Sequence, residues 1–375
     1  MKSLRILDNA FKGSYKGKRV LVTGHTGFKG SWLCIWLREL GAEVIGYSLE
    51  PPSIPNNFEA CNLASKITHI HGDIRNLEHL QEVFKKYNPE IVFHLAAQPL
   101  VRLSYEEPKL TFDTNVGGTV NVLETARLTP SIRAFINVTS DKCYKNREWV
   151  WGYREEDPMG GHDPYSASKG CAELVFAAYQ RSFFANELSI GVASVRAGNA
   201  IGGGDWGTDR IIPDCIRALA KNESIGIRHP QATRPWQHVL EPLSGYLWLG
   251  ALLLENPEKY SGAWNFGPQN EAIRMVQEVV EAFIKLWGSG SWIDISTSET
   301  NPVHEATLLK LCCDKVNTYL KWQSILSLDE SLRLVADWYK IFHYVNKPPS
   351  MYAICTDQIK EYHEIAKRKK LAWAE

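Results

Sequence analysis

Residues 19–30, Arg19-Val20-Leu21-Val22-Thr23-Gly24-His25-Thr26-Gly27-Phe28-Lys29-Gly30, decide the fold. The first five are a compact, β-branched strand, and Ser31 to Leu40 carry apolar residues at helical spacing. Between them the glycines stand at 24, 27 and 30, in the pattern G-x-x-G-x-x-G. Glycine there permits a tight turn, close approach of backbone to a pyrophosphate and close helix–strand packing. The following helix start offers free N–H groups and the positive end of its dipole. Gly24, Thr26, Gly27, Phe28, Lys29 and Gly30 therefore form a candidate dinucleotide cradle, with an ordinary turn as the plainer alternative.

Working outward, short β-branched runs alternate with helical patterns. Strands are expected at 43–47, 67–71, 91–94, 134–139 and 190–194, and helices near 77–87, 111–128 and 165–184. Repeated βα units predict an α/β fold, a doubly wound Rossmann-type parallel sheet with helices on both faces. Beyond Arg196 glycines and prolines break the pattern, with a helix expected at 275–286 and an alternating strand near 308–312. The expected division is a nucleotide-binding domain over 1–195. A smaller mixed domain, partly interleaved with it, would span 196–375 and lie over the carboxyl edge of the sheet.

The chain has 375 residues, 44% of them apolar, with 42 basic and 42 acidic side chains. A core is available, and a nucleic-acid partner is disfavoured because phosphate binding needs a concentrated positive face. The one basic run, Lys367 to Lys370, reads as a solvated helix end. The N-terminus lacks a signal-peptide pattern and no apolar stretch is long enough to span a bilayer, which points to a cytoplasmic protein. Eight cysteines without a CxxC, and eleven histidines without ligand spacing, predict reduced thiols and no metal. Of the 13 tryptophans, six fall between 206 and 292 and serve packing or line a pocket.

After the second strand the sequence reads Tyr47-Ser48-Leu49-Glu50, with an acid slightly late for a ribose and no Arg for a 2′-phosphate. This favours NAD. Asp73, before Ile74, is placed either to accept from an adenine amino group or to cap the next helix. Tyr165 and Lys169 stand four apart, hence on one helix face, where an ammonium lowers a neighbouring phenol toward the range of a general base. Ser140, in Val138-Thr139-Ser140-Asp141-Lys142, follows a strand at the sheet's carboxyl edge.

These segments together resemble the extended short-chain dehydrogenase/reductase family over the whole chain: TGHTGFKG, HLAAQ at 94–98, Asn115, the Ser140 segment, YSASK and Arg196-Ala197-Gly198-Asn199. Within it the chain is similar to the nucleotide-sugar 4,6-dehydratases, most closely the branch acting on CDP-glucose. That closer likeness rests on TSDKCY (139–144), GGGDWGTDRIIPD (202–214), RPWQHVLEPLSGYL (234–247), WNFGP (264–268) and PVHEATLLKL (302–311). One departure stands out. Where the dTDP-glucose enzymes have Thr-Asp-Glu, this chain has Ser140-Asp141-Lys142, which fits the CDP-glucose branch.

The resemblance implies a lyase that oxidises C4 of CDP-glucose, eliminates water across C5–C6 and returns hydride to C6. It places that step in deoxysugar biosynthesis for cell-surface polysaccharide such as lipopolysaccharide O-antigen. Tyr165 with Ser140 would take the 4-hydroxyl proton, and Lys169 would hold the nicotinamide ribose. Asp141 would protonate the departing C6 hydroxyl, and Lys142, when neutral, would assist at C5. Leu95, Ala96, Ala97 and Thr114 would join the NAD site, and Asn115 would position Lys169. Arg210 and Arg234 would take the substrate pyrophosphate, with Gln98, Asn199, His238, Asn265 and His304 around the nucleotide. His304 reads equally as a satisfied buried polar group.

The helices near 111–128 and 165–184 would form a homodimer or homotetramer surface, although Leu174, Val175 and Phe176 equally suit a core-facing helix. The alternatives are a dehydratase for another nucleotide, a nucleotide-sugar 4-epimerase, which needs no elimination couple, and a non-catalytic NAD-binding regulator.

Overall fold

The computed structural model describes residues 7, 9–185, 190–296, 308–345 and 350–375. Its centre is a seven-stranded sheet, parallel throughout: β1 (Arg19–Thr23), β2 (Glu43–Ser48), β3 (Thr68–His71), β4 (Ile91–His94), β5 (Ala134–Val138), β6 (Gly191–Arg196) and β7 (Gly262–Asn265). The spatial order is β7-β6-β5-β4-β1-β2-β3. The chain reverses direction of growth between β1 and β4, the switch point where doubly wound sheets bind ligands beyond their carboxyl ends. The seventh strand comes from the second half of the chain and pairs with β6 through Trp264↔Val195 and Asn265↔Arg196.

Both faces are covered over the central strands, so β1, β4, β5 and β6 are buried along almost their whole length, whereas the edge strand β3 is polar and largely exposed. Val20 and Val22 point into one core with Trp32, Trp36 and the helix Leu240–Glu255. Leu21 points into the other, with Leu80, Phe84, Leu123 and Phe176. The C-terminal helices Leu328–Tyr344 and Met351–Arg368 close the first core, where Trp36, Tyr362 and Trp373 pack face and edge. Trp32, Trp36, Trp322, Trp338 and Trp373 are fully buried packing residues. Trp206 and Trp236 line the cleft described below.

The structure differs from the sequence expectation in three places. The first helix, α1 (Phe28–Glu39), begins three residues early because Gly27, at ψ 169°, serves as its N-cap. No strand forms over 308–312. Leu311 makes one bridge to Tyr153, through bonds of 2.8 Å from Tyr153 N to Lys310 O and from Cys312 N to Tyr153 O. Phe176 is buried in the core, whereas Leu174 on the same helix is 60% exposed.

Candidate functional site

A cleft of about 860 Å³ opens over the carboxyl ends of the strands. At one end the glycine loop turns into α1. Gly24 has φ +75°, and a Cβ there would stand 2.7 Å from Ala96 N; a Cβ on Gly30 would stand 2.1 Å from Gly24 O. The first turn of α1 has no side-chain cap, which leaves its first N–H groups without an intrahelical or capping side-chain partner. This cradle fits a dinucleotide pyrophosphate. Thr26 beside Ser48, Asp73, Ile74, Leu95, Ala96, Ala97 and Thr114 line the same end.

Asp73 is not the cap of the next helix. Its carboxylate takes the Arg75 backbone N–H at 2.9 Å and the Arg75 guanidinium, while Asn76 caps Leu77–Tyr87. Arg75 therefore puts a cation in the lining of the cleft, which Glu50 also lines.

At the strand ends, Tyr165 and Lys169 occupy one face of the helix Pro164–Tyr179, which starts cleanly because Asp163 accepts from Ser166 N at 2.8 Å and Pro164 follows it. Ser140 lines the cleft with Tyr165, pulls its phenol downward, and donates to Asp141 Oδ1 at 3.0 Å. In the ligand-free cleft the phenol is not lowered overall. Burial pushes Tyr165 up to about 12, Ser140 and Arg210 pull back, and Asp141 and Asp163 add to the rise.

Asp141 is buried, and its Oδ2 has no hydrogen-bond partner among the described residues. A Cβ on Gly198 would meet that oxygen at 1.8 Å, so Gly198 makes the space Asp141 occupies. Lys142 also lines the cleft, its Nζ 3.9 Å from Asp141 Oδ1.

Asn115 ties this wall together. It accepts from Gln98 N at 2.8 Å and donates to Ser168 Oγ at 2.9 Å, beside Lys169. Gln98 lines the cleft, but its amide is committed to Leu100 and Thr111.

At the substrate end stand Asn199, Arg210 and Arg234. Asn199 adopts φ +41° and its buried amide nitrogen has no partner among the described residues. Arg210 is half committed: its Nη1 donates to both Asp205 oxygens at 2.9 Å.

Two expected substrate residues are placed elsewhere. His238 is fully buried against Trp32, held neutral by burial, which pushes it down to about 3. Asn265 is fully buried in bonds to Tyr144, Tyr153 and Glu155. His304 lies outside the described residues. Sequence reasoning missed Asp205 and the bridge of Asp209 between Arg228, at 2.6 Å, and Arg102, at 3.6 Å. These groups come from separate segments, and no spacing rule links them.

Lys29, from the glycine loop, feels Asp141, Arg210 and Asp205, and burial pushes it down to about 8. Burial, with Lys29 next, also pushes Lys169 down to about 8 from 10.5. Below that point the folded and unfolded chains both hold the Lys169 proton, and the cost of the buried charge is felt in full. Between the two values the folded chain sheds a proton that the unfolded chain keeps, so the cost fades as pH rises. Lys169→Met is therefore expected to raise the melting temperature of the ligand-free protein at neutral pH by a few degrees, and by less at each step toward the exposed-lysine value. Thermal melts across that range check this; an advantage independent of pH would contradict it.

The sequence model of the GDP-mannose 4,6-dehydratase family matches residues 21–335. The chain belongs to that family. It is 53% identical over 334 residues to the CDP-glucose 4,6-dehydratase of Salmonella typhimurium strain LT2, covering 88% of this chain and 92% of that one. An epimerase of Methanothermobacter thermautotrophicus shares the fold at TM-score 0.74 and 24% identity, over 91% of this chain and 96% of its own. The dTDP-glucose 4,6-dehydratase of Bacillus anthracis, solved in complex with NAD, shares it at TM-score 0.70 and 21% identity, over 86% and 97%.

Proposed function

We propose that this enzyme converts CDP-glucose to its 4-keto-6-deoxy derivative with NAD as a resident cofactor. The observation that carries this reading is the placement of Asp141 and Lys142 on the same cleft wall as Tyr165 and Lys169. Its substrate follows from the 53% identity to a CDP-glucose 4,6-dehydratase over 88% of the chain. NAD, when bound, would supply the hydride acceptor for C4 and the hydride donor for C6.

The chain's own groups handle the protons. Tyr165 accepts the 4-hydroxyl proton, helped by Ser140, with Lys169 and Arg210 as the cations that favour phenolate. The resulting 4-ketone acidifies C5–H. Lys142, as the neutral amine, takes that proton while the C6–O bond breaks and Asp141 gives its proton to the leaving hydroxyl, which departs as water. C5 then regains a proton. Arg210 and Arg234 bind the diphosphate as planar donors, and Asn199 meets the nucleotide or sugar. The glycine cradle and the Lys169 ammonium hold the dinucleotide, and exposed Leu174 and Phe183 support a homodimer through this helical face.

Incubation with CDP-, dTDP-, UDP- and GDP-glucose, with detection of the enolised 4-keto-6-deoxy product, tests the reading. Product is expected from CDP-glucose. Turnover of dTDP-glucose with none of CDP-glucose would overturn it, and a C4-epimerised product that keeps its 6-hydroxyl would replace elimination by epimerisation.

A further inference from the structure

Behind the Ser140–Lys142 turn lies a buried ion pair that does not line the cleft. Glu173, one helical turn beyond Lys169, accepts from Arg196 Nη2 at 2.7 Å, and their side chains are 2% and 4% exposed. Burial alone would raise the Glu173 carboxyl, but Arg196 and three donated hydrogen bonds hold it below the ordinary carboxylate range. A buried pair of this kind is expensive to desolvate and is weak evidence for stability, so its location calls for another reason.

The remaining bonds of the pair supply one. Thr139 Oγ1 and Ser194 Oγ donate to Glu173 Oε1. Arg196 Nη1 donates to the Tyr144 hydroxyl at 2.6 Å and to Glu155 O at 2.9 Å, and the guanidinium lies 5.0 Å from the centre of the Tyr144 ring. Tyr144 in turn donates to Asn265 Oδ1 at 2.7 Å, and Asn265 is anchored by Glu155 and the Tyr153 carbonyl, both at 2.9 Å. Thr139 precedes the turn and Tyr144 ends it. One ion pair grips both ends of the segment that carries Asp141 and Lys142.

We infer that the Glu173–Arg196 pair is a positioning device for the Asp141–Lys142 couple, acting through the Thr139 and Tyr144 hydroxyls. The inference rests on the elimination chemistry proposed above. Tyr165 and Lys169 sit on a helix of four turns and keep their places without the Tyr144 hydroxyl. Asp141 and Lys142 sit on a single turn whose far end that hydroxyl fixes. Loosening it should slow loss of water more than oxidation at C4, since small misplacements of reacting groups are costly.

Glu173→Gln would leave Arg196 buried and uncompensated, so the test uses Tyr144→Phe, which keeps the ring, and Thr139→Val, which removes the hydroxyl bond to Glu173 at the other end. In Tyr144→Phe, formation of the 4-keto-6-deoxy product from CDP-glucose is expected to fall about ten-fold, with KM within about two-fold of wild type. Reduced nicotinamide should accumulate during turnover. The isotope effect of C5-deuterated substrate on product formation should rise, a change that mere loss of stability does not produce. Thr139→Val should show the same pattern. Equal slowing of oxidation and elimination, or an unchanged isotope effect in both variants, overturns the positioning role. Absence of product from the wild-type enzyme instead overturns the proposed reaction, and the positioning role with it.

Discussion

Tyr165→Phe is expected to lower the rate of C4 oxidation by about 10²–10⁴-fold, the contribution of a well-placed general base. The reason is local. Ser140 and Tyr165 are the hydroxyl groups brought together at the foot of the cleft, and Ser140 already donates to Asp141. Removing the phenol removes the group proposed to take the 4-hydroxyl proton. Because the ligand-free phenol is pushed up to about 12, chiefly by burial, the variant loses no charge at neutral pH and should fold as the wild type does. Its binding of NAD and CDP-glucose should persist. Rapid mixing of the NAD-loaded variant with CDP-glucose measures the appearance of reduced nicotinamide directly. Wild-type rates of that signal would remove Tyr165 from the mechanism, whereas lost nucleotide binding would show a positioning role.

The residues that sequence reasoning located share one property: their relation is set by local geometry. The glycine loop between strand and helix, and Tyr165 four residues before Lys169, need only the helix and strand periods to be placed. The parallel sheet followed for the same reason, since apart from the polar edge strand β3 the strands from β1 to β6 are largely apolar runs next to a helical pattern. Electrostatics did not follow, because burial dominates the Tyr165 phenol and burial is a tertiary quantity. Membership of a family motif did not say which way a side chain points. His238 and Asn265 sit in such motifs yet turn into the core, where His238 packs edge-on against Trp32 and accepts from Leu240 N, and the Tyr144 network holds Asn265. The pairs Asp205–Arg210 and Asp209–Arg228 depend on how a loop without periodicity folds back, and the Leu311–Tyr153 bridge on where one residue meets another far along the chain.

Lys142→Met separates the two halves of the reaction. C4 oxidation uses Tyr165, Ser140 and Lys169, none of which depends on the Lys142 side chain for a hydrogen bond, and Ser140 is held by the Lys142 backbone N–H at 3.2 Å, which the substitution keeps. Met matches the length of the lysine stem, which is partly exposed at 29%, so packing changes little. The expected result is C4 oxidation within a few-fold of wild type, with reduced nicotinamide accumulating from CDP-glucose, and loss of the 4-keto-6-deoxy product by about 10²-fold. Asp141 cannot replace the amine, because one carboxyl cannot both give its proton to the C6 hydroxyl and remove the one at C5 in the same step. If the variant eliminates water at the wild-type rate, the C5 proton goes elsewhere and the substitution of Lys for the Glu of the dTDP-glucose enzymes carries no chemistry. If oxidation and elimination fall together, Lys142 acts on substrate binding, and the KM for CDP-glucose will rise with them.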